Sequence, residues 1–183
     1  TALVWVSAES PARVKSFFYK PAAEIIRHGE RDGQRYDLYR DAGWLVATPG
    51  RIIQPGFVVK TIIDYHERFD IQAIAYDRDP KHMTELLNVM TEEGLMAQEG
   101  MGGGVRMEPW GQSYVGMNPG VNALHAAILE ELPNGKRMLQ HDGNPLLTWN
   151  MANAMVDEDF KDNRTLVKLN PRFRADGAVA LAM

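Results

Sequence analysis

Cysteine is missing from all 183 residues, which excludes disulfides, thiolate metal sites and a thiol nucleophile, and fits a reducing compartment. Histidine is sparse as well. His28, His66, His82, His125 and His141 are scattered, and no two share a metal-ligand spacing on one predicted helix face, so zinc is not expected. A Gly-x-Ser-x-Gly elbow is absent, which leaves a hydrolase-type serine without support. No apolar run approaches the roughly 20 residues of a membrane span, and the N-terminus lacks a basic-then-apolar signal pattern, so no membrane association is expected. Positive charge is not in excess. A formal net charge of −4 argues against a chain coated in basic surface, yet it permits a local basic patch beside an acidic metal site. Carboxylates are the groups left to carry chemistry.

What is present is ordinary globular composition, 45% hydrophobic and 24% charged, of a length that suits one domain over residues 1–183. Thr1–Ser7 and Arg13–Tyr19 read as strands of an antiparallel hairpin around a Ser10-Pro11 turn. Glu24–Tyr39 is partly helical and interrupted by Gly29 and Gly33; Trp44–Thr48 is a further short strand. Pro55 opens a helix with Val58, Ile62, Tyr65 and Phe69 at helical spacing, which leads into the run Ile71–Asp77. Both faces of that run are apolar apart from Gln72, as in a buried central strand. Met83, Leu86, Leu87 and Met90 mark one face of the next helix, which Gly94 closes.

Leu95–Gln98 is one more strand candidate, and Gly100–Gly120, with seven glycines and two prolines, reads as a long mobile loop. Gly102-Gly103-Gly104 is not a phosphate loop, since no Gly-Lys-Ser/Thr follows. Asn118-Pro119 is expected to cap a helix with Val121, Leu124, Ile128 and Leu132 inward. Pro145 opens a helix through about Val156, and Asp157–Asn170 reads as a hairpin turning at Asp162-Asn163. Ala175–Met183 is an Ala-rich helix. Together these predict one α/β domain with a mixed central sheet flanked by helices.

Two acids stand out. Asp77 ends the Ile71 run, at the carboxyl edge where α/β sheets gather ligands, although an Asx turn explains the same position. Asp176 begins a helix that is otherwise small and apolar, where a dipole-favoured cap is the competing explanation. If the two converge, their repulsion calls for a cation, and oxygen-only ligands select Mg²⁺ or Mn²⁺.

Four stretches carry a family resemblance: Tyr36–Gly50 with Trp44 and Thr48-Pro49-Gly50; the strand ending Ala75-Tyr76-Asp77; His141-Asp142-Gly143-Asn144-Pro145 through Asn153 with Trp149; and Asp176-Gly177-x-x-Ala180. In their order and spacing the chain resembles the C-terminal nuclease domain of tailed-phage, or prophage, terminase large subunits. The resemblance implies an RNase H-like fold and a two-ion Mg²⁺ or Mn²⁺ endonuclease acting on concatemeric double-stranded DNA in the cytoplasm of a bacterial host. It also implies the small terminase subunit and the portal protein as partners. Asp77 becomes the central-strand metal ligand and Asp176 the closing-helix ligand. The family's first-strand acid has no counterpart, as no Asp occurs between Thr1 and Ser10. The expectation is therefore a piece of a longer chain, beginning just downstream of that acid and impaired in cleavage, with neither Glu9 nor Asp79 replacing it. The family's ATP-driven motor domain is absent, so no ATP hydrolysis is expected. Lys168, Arg172 and Arg174 are candidate contacts to the DNA backbone, or else a solvated basic face. The competing readings are another RNase H-like nuclease, such as a junction resolvase, and a non-catalytic docking module that uses the Gly100–Gly120 loop.

Overall fold

A computed structural model describes residues 1–96 and 104–183. They divide into two compact units, Thr1–Ile52 with Ser113–Met183, and Ile53–Gln112, each taken here by itself.

The first unit opens with the expected hairpin. β1 (Ala2–Val6) runs antiparallel to β2 (Ala12–Pro21), in register from Ala2 opposite Phe18 to Val6 opposite Val14. A 3-10 turn over Ala22–Glu24 leads to α1 (Ile25–Asp32) and α2 (Tyr36–Asp41), after which β3 (Val46–Thr48) lies parallel to the end of β2. Gly29 does not interrupt α1. It sits buried inside the helix because a Cβ there would stand 2.6 Å from the Gln34 carbonyl oxygen. Gly33 ends the helix at φ 66°, a left-handed conformation that glycine adopts without strain.

The second unit contains α3 (Pro55–His66), β4 (Ala73–Asp77), α4 (Pro80–Glu92) and β5 (Arg106–Trp110). α3 and α4 pack together, and β4 and β5 are parallel, with Asp77 opposite Trp110. Pro55 lies in the first turn of α3 and Gly94, at φ 70°, follows α4, both as expected. β4 is shorter and less covered than a buried central strand: only Ile74 is buried, and β5 is its one partner among the described residues. Its first two expected residues are diverted locally, since the Gln72 amide donates to the Asp70 carboxylate at 2.7 Å. Phe69 likewise falls outside the helix and is 59% exposed, its ring leaning on Tyr65. Of the Leu95–Gln98 strand, Met96 forms a single bridge to Val105; 97–98 lie outside the described residues.

The long loop expected over Gly100–Gly120 is largely absent. Residues 100–103 lie outside the described residues, and the remainder forms β5 and the start of α5 (Tyr114–Leu129). Two tertiary or capping effects override the glycine and proline content. β4 supplies a ladder for β5, which tolerates Pro109 because it has no second partner strand among the described residues, and Ser113 Oγ accepts from Gly116 N at 3.2 Å as an N-cap. Asn118-Pro119 is therefore not a helix entry. Pro119 sits within α5, while Asn118 Oδ1 accepts from Asn122 and from Arg164 N, both at 3.0 Å. Val121 and Leu124 face inward as expected, whereas Ile128 is 43% exposed and Leu132 lies beyond the helix.

The first unit then resumes. β6 (Leu139–His141) runs parallel to the start of β2, and α6 (Pro145–Ala152) follows. α6 stops short of Val156 because Ala154–Glu158 is drawn into β7, antiparallel to β8 (Arg164–Lys168), with Asp162 left-handed at the turn. α7 (Asp176–Ala182) closes the chain. The mixed sheet is thus β1-β2-β3 with β6 also on β2, while β4-β5 and β7-β8 form separate two-stranded ladders. Val14, Phe18, Ile25, Tyr36, Leu45, Leu146 and Leu147 make the core of this unit, with Trp149 packed edge-on to Tyr36 as an anchor.

Candidate functional site

Asp176 is the first residue of α7 and its side chain is 48% exposed. The backbone on either side of it is tightly held. Gly177 N donates to Asn150 Oδ1 at 3.0 Å, and Asn150, buried in α6, donates in turn to the Leu146 carbonyl at 2.7 Å. Asn153 Nδ2 donates to the Arg174 carbonyl at 3.1 Å. Ala175, Ala178 and Ala182 are buried, and a Cβ on Gly177 would stand 2.7 Å from the Phe18 ring of β2. Small residues here let α7 approach the sheet closely enough to fix its first turn. Asp176 Oδ2 lies 3.7 Å from the Thr1 nitrogen, so the carboxylate stands beside the head of β1.

The asparagines of the His141–Asn153 segment therefore orient backbone. Asn144 does the same, donating to the Ser16 and Trp44 carbonyls and accepting from Leu146 N. Asp142 is tied to Lys15 at 3.1 Å and to the backbone of Ser16 and Asn144, which outweigh the cost of burial and hold its carboxyl below the usual range.

Behind Asp176 lies a charged cluster that sequence reasoning missed. Asp32, at the end of α1, has a fully buried side chain. Arg31 engages it through Nε at 2.7 Å and Nη2 at 3.2 Å, and the Tyr36 hydroxyl donates to it at 2.8 Å. Lys20 Nζ from β2 and Arg174 Nε approach the same oxygen at 3.6 and 3.4 Å. Burial alone would raise the Asp32 carboxyl, but the hydrogen bonds from Arg31 and Tyr36 and the charges of Lys20 and Arg174 prevail and hold it at about 2. The Tyr36 phenol is pushed up by burial and by that carboxylate. One signal was available in the sequence. An acid in the last turn of a helix opposes the macrodipole and calls for a compensating partner.

Asp77 belongs to the second unit, at the carboxyl end of β4. Its Oδ1 accepts from Asp79 N at 3.0 Å, so the Asx turn is real, and its Oδ2 accepts from Gln112 Nε2 at 2.8 Å. These bonds orient the carboxylate and leave lone pairs on both oxygens. Arg78 lies along Gly111, where a Cβ would be 3.0 Å from its guanidinium carbon.

Of the basic candidates, Lys168 and Arg172 are exposed, while Arg174 turns to Asp32. An aspartate offers only oxygen donors, which suit a hard cation such as Mg²⁺ or Mn²⁺. Among the described residues no three His, Asp or Glu side chains gather to hold an ion. Nor is any helix among them long and apolar enough to cross a membrane.

The fold is mixed α/β, with one aspartate at a parallel strand end in the second unit and another at the start of the closely packed closing helix of the first. Residues 13–183 match the endonuclease domain of the terminase large subunit, and the chain belongs to that family. It is 29% identical over 167 residues to the terminase large subunit of Enterobacteria phage HK97, an alignment covering 91% of this chain and 30% of that protein. The crystal structure of the HK97 large terminase superposes with a TM-score of 0.77 at 29% identity, covering all of this chain and 35% of that one. The chain thus spans about a third of the length of these relatives.

Proposed function

We propose that this chain is the DNA-cleaving domain of a phage packaging terminase, RNase H-like in fold, hydrolysing phosphodiesters of concatemeric double-stranded DNA with Mg²⁺ or Mn²⁺. The observation that carries the reading is Asp176: half-exposed, yet fixed through Asn150, Asn153 and Gly177 in a chain of this family. Holding the backbone around a half-exposed acid so firmly serves geometry more than stability, since the carboxylate's own contacts are few. Asp77, oriented by Asp79 and Gln112, supplies the second carboxylate. Asp77 and Asp176 would serve as ligands to the divalent ions, whose chemistry would be to activate a water and stabilise the leaving oxygen. The chain's own part is to orient two carboxylates and, through Lys168 and Arg172, to attract the phosphate backbone. The small terminase subunit and the portal protein are the partners this role entails, in the host cytoplasm, with no ATP hydrolysis by this domain.

Plasmid cleavage in Mn²⁺ is the test. A chain extended at its N-terminus through the next upstream Asp should nick and linearise plasmid, the 183-residue chain should do so far more slowly, and Asp77→Asn in the extended chain should lower the rate at least about a hundredfold. Equal cutting by the short and extended chains would refute the missing-ligand argument. Unchanged cutting by Asp77→Asn would refute the assignment of Asp77 and leave it as a turn residue.

A further inference from the structure

The cluster behind Asp176 holds more positive charge than it needs. Arg31 and the Tyr36 hydroxyl already satisfy Asp32 at 2.7–3.2 Å, so Lys20 and Arg174, at 3.6 and 3.4 Å, share a carboxylate that is largely spoken for. Three cations, Lys20, Arg31 and Arg174, thus face one buried anion. Lys20 is the member most shaped by the fold. Its backbone is fixed by the β2–β3 pairing opposite Ala47, its Nζ lies 4.1 Å from the centre of the Tyr36 ring, and its side chain is 16% exposed. Removing an ammonium from water this far costs free energy that a distant, shared carboxylate does not return. Burial accordingly lowers the Lys20 ammonium from its ordinary value, while Asp32 and, more weakly, Asp176 pull it back. Lys20 follows Tyr19, whose N donates to the Thr1 carbonyl at 3.1 Å, and the Thr1 nitrogen stands 3.7 Å from Asp176, so the lysine lies on the β2 segment beside that carboxylate.

We infer that Lys20 is a phosphate-binding residue of the DNA site, held beside Asp176 by Asp32 and Tyr36 so that its ammonium meets a backbone phosphate at the strand to be cut. This rests on the DNA-cleaving reading and adds a contact outside the two carboxylates. Lys20 is preorganised by Asp32 and the Tyr36 ring, so little side-chain entropy is lost on binding.

The test is metal-free binding of the 183-residue chain to a short fluorescent duplex, followed by anisotropy over a salt series in EDTA, which separates binding from cleavage. Lys20→Met should weaken affinity about tenfold at low salt, for all sequences alike, and reduce the salt slope by about 1; Lys20→Arg should restore most of both. Thermal unfolding of Lys20→Met should match or exceed the unaltered chain, because Asp32 keeps Arg31, Tyr36 and Arg174. Equal affinity and slope in Lys20→Met would overturn the inference, as would an Arg variant no better than Met, or no binding by the unaltered chain. If Lys20-dependent binding holds while the extended chain cuts no plasmid, the cleavage reading fails and the phosphate contact stands.

Discussion

Asp32 shows how much one buried side chain can organise. It gathers Lys20, Arg31, Tyr36 and Arg174, drawn from β2, α1, α2 and the approach to α7. Its folded value of about 2 lies below the roughly 3.9 of an unfolded aspartate. The depressed value means that its stabilisation is complete above about pH 4 and is lost as pH falls from there toward 2. Asp32→Asn should destabilise the chain by about 3 kcal/mol near neutral pH, since three cations lose their only buried anion. The variant's stability, followed by urea unfolding between pH 2 and 7, should also be flatter below pH 4 than that of the unaltered chain. A parallel pair of curves would show that Asp32 is not the group titrating there.

At the scale of elements, the closing helix depends on what it lacks. α7 reaches β2 only because Gly177 has no side chain against Phe18. Gly177→Ala places a methyl 2.7 Å from an aromatic carbon in a packed core, and should cost about 1–3 kcal/mol while displacing Asp176. Adding Phe18→Leu should recover part of the stability, which thermal unfolding of the single and double variants would measure; additive losses would mean that the two residues do not collide. The misread loop belongs to the same scale. Glycine and proline over 100–120 are genuine breakers, but a ladder on β4 and a Ser113 cap overrule them, and Pro119 is exposed within α5, where no packing depends on it.

For the molecule as a whole, a net charge of −4 leaves room for the proposed DNA contact, because that contact asks only for a few exposed basic side chains on the approach to α7. Lys168 and Arg172 are exposed there and Arg174 is partly committed to Asp32. Replacing Lys168 and Arg172 with Gln should therefore lower affinity for every duplex equally and reduce the salt slope by about 2, whereas Arg174→Gln should act mainly on stability. Sequence-dependent losses would point instead to base contacts. Much of this was legible beforehand: the hairpin, the helices at Pro55 and Pro145, Asp77 at a strand end and Asp176 at a helix start all rest on local periodicity and capping. Lys20 was not legible, and Asp32 only as an acid ill-placed at a helix end, because their charges look solvated until β2 and α1 are packed together.

The sequence by itself singled out the carboxylates Asp77 and Asp176 as the candidates for chemistry, by their places at a strand end and a helix start in a chain without thiols, paired histidines or a serine elbow. It also determined the family, through short motifs whose order survives wherever the intervening chain goes. Only the tertiary structure decided what holds Asp176 still, which asparagines serve backbone, and that a lysine and a buried aspartate stand behind it. Those are relations between residues as far apart as Asp32 and Arg174, and distance along the chain carries no information about charge meeting charge in a desolvated space.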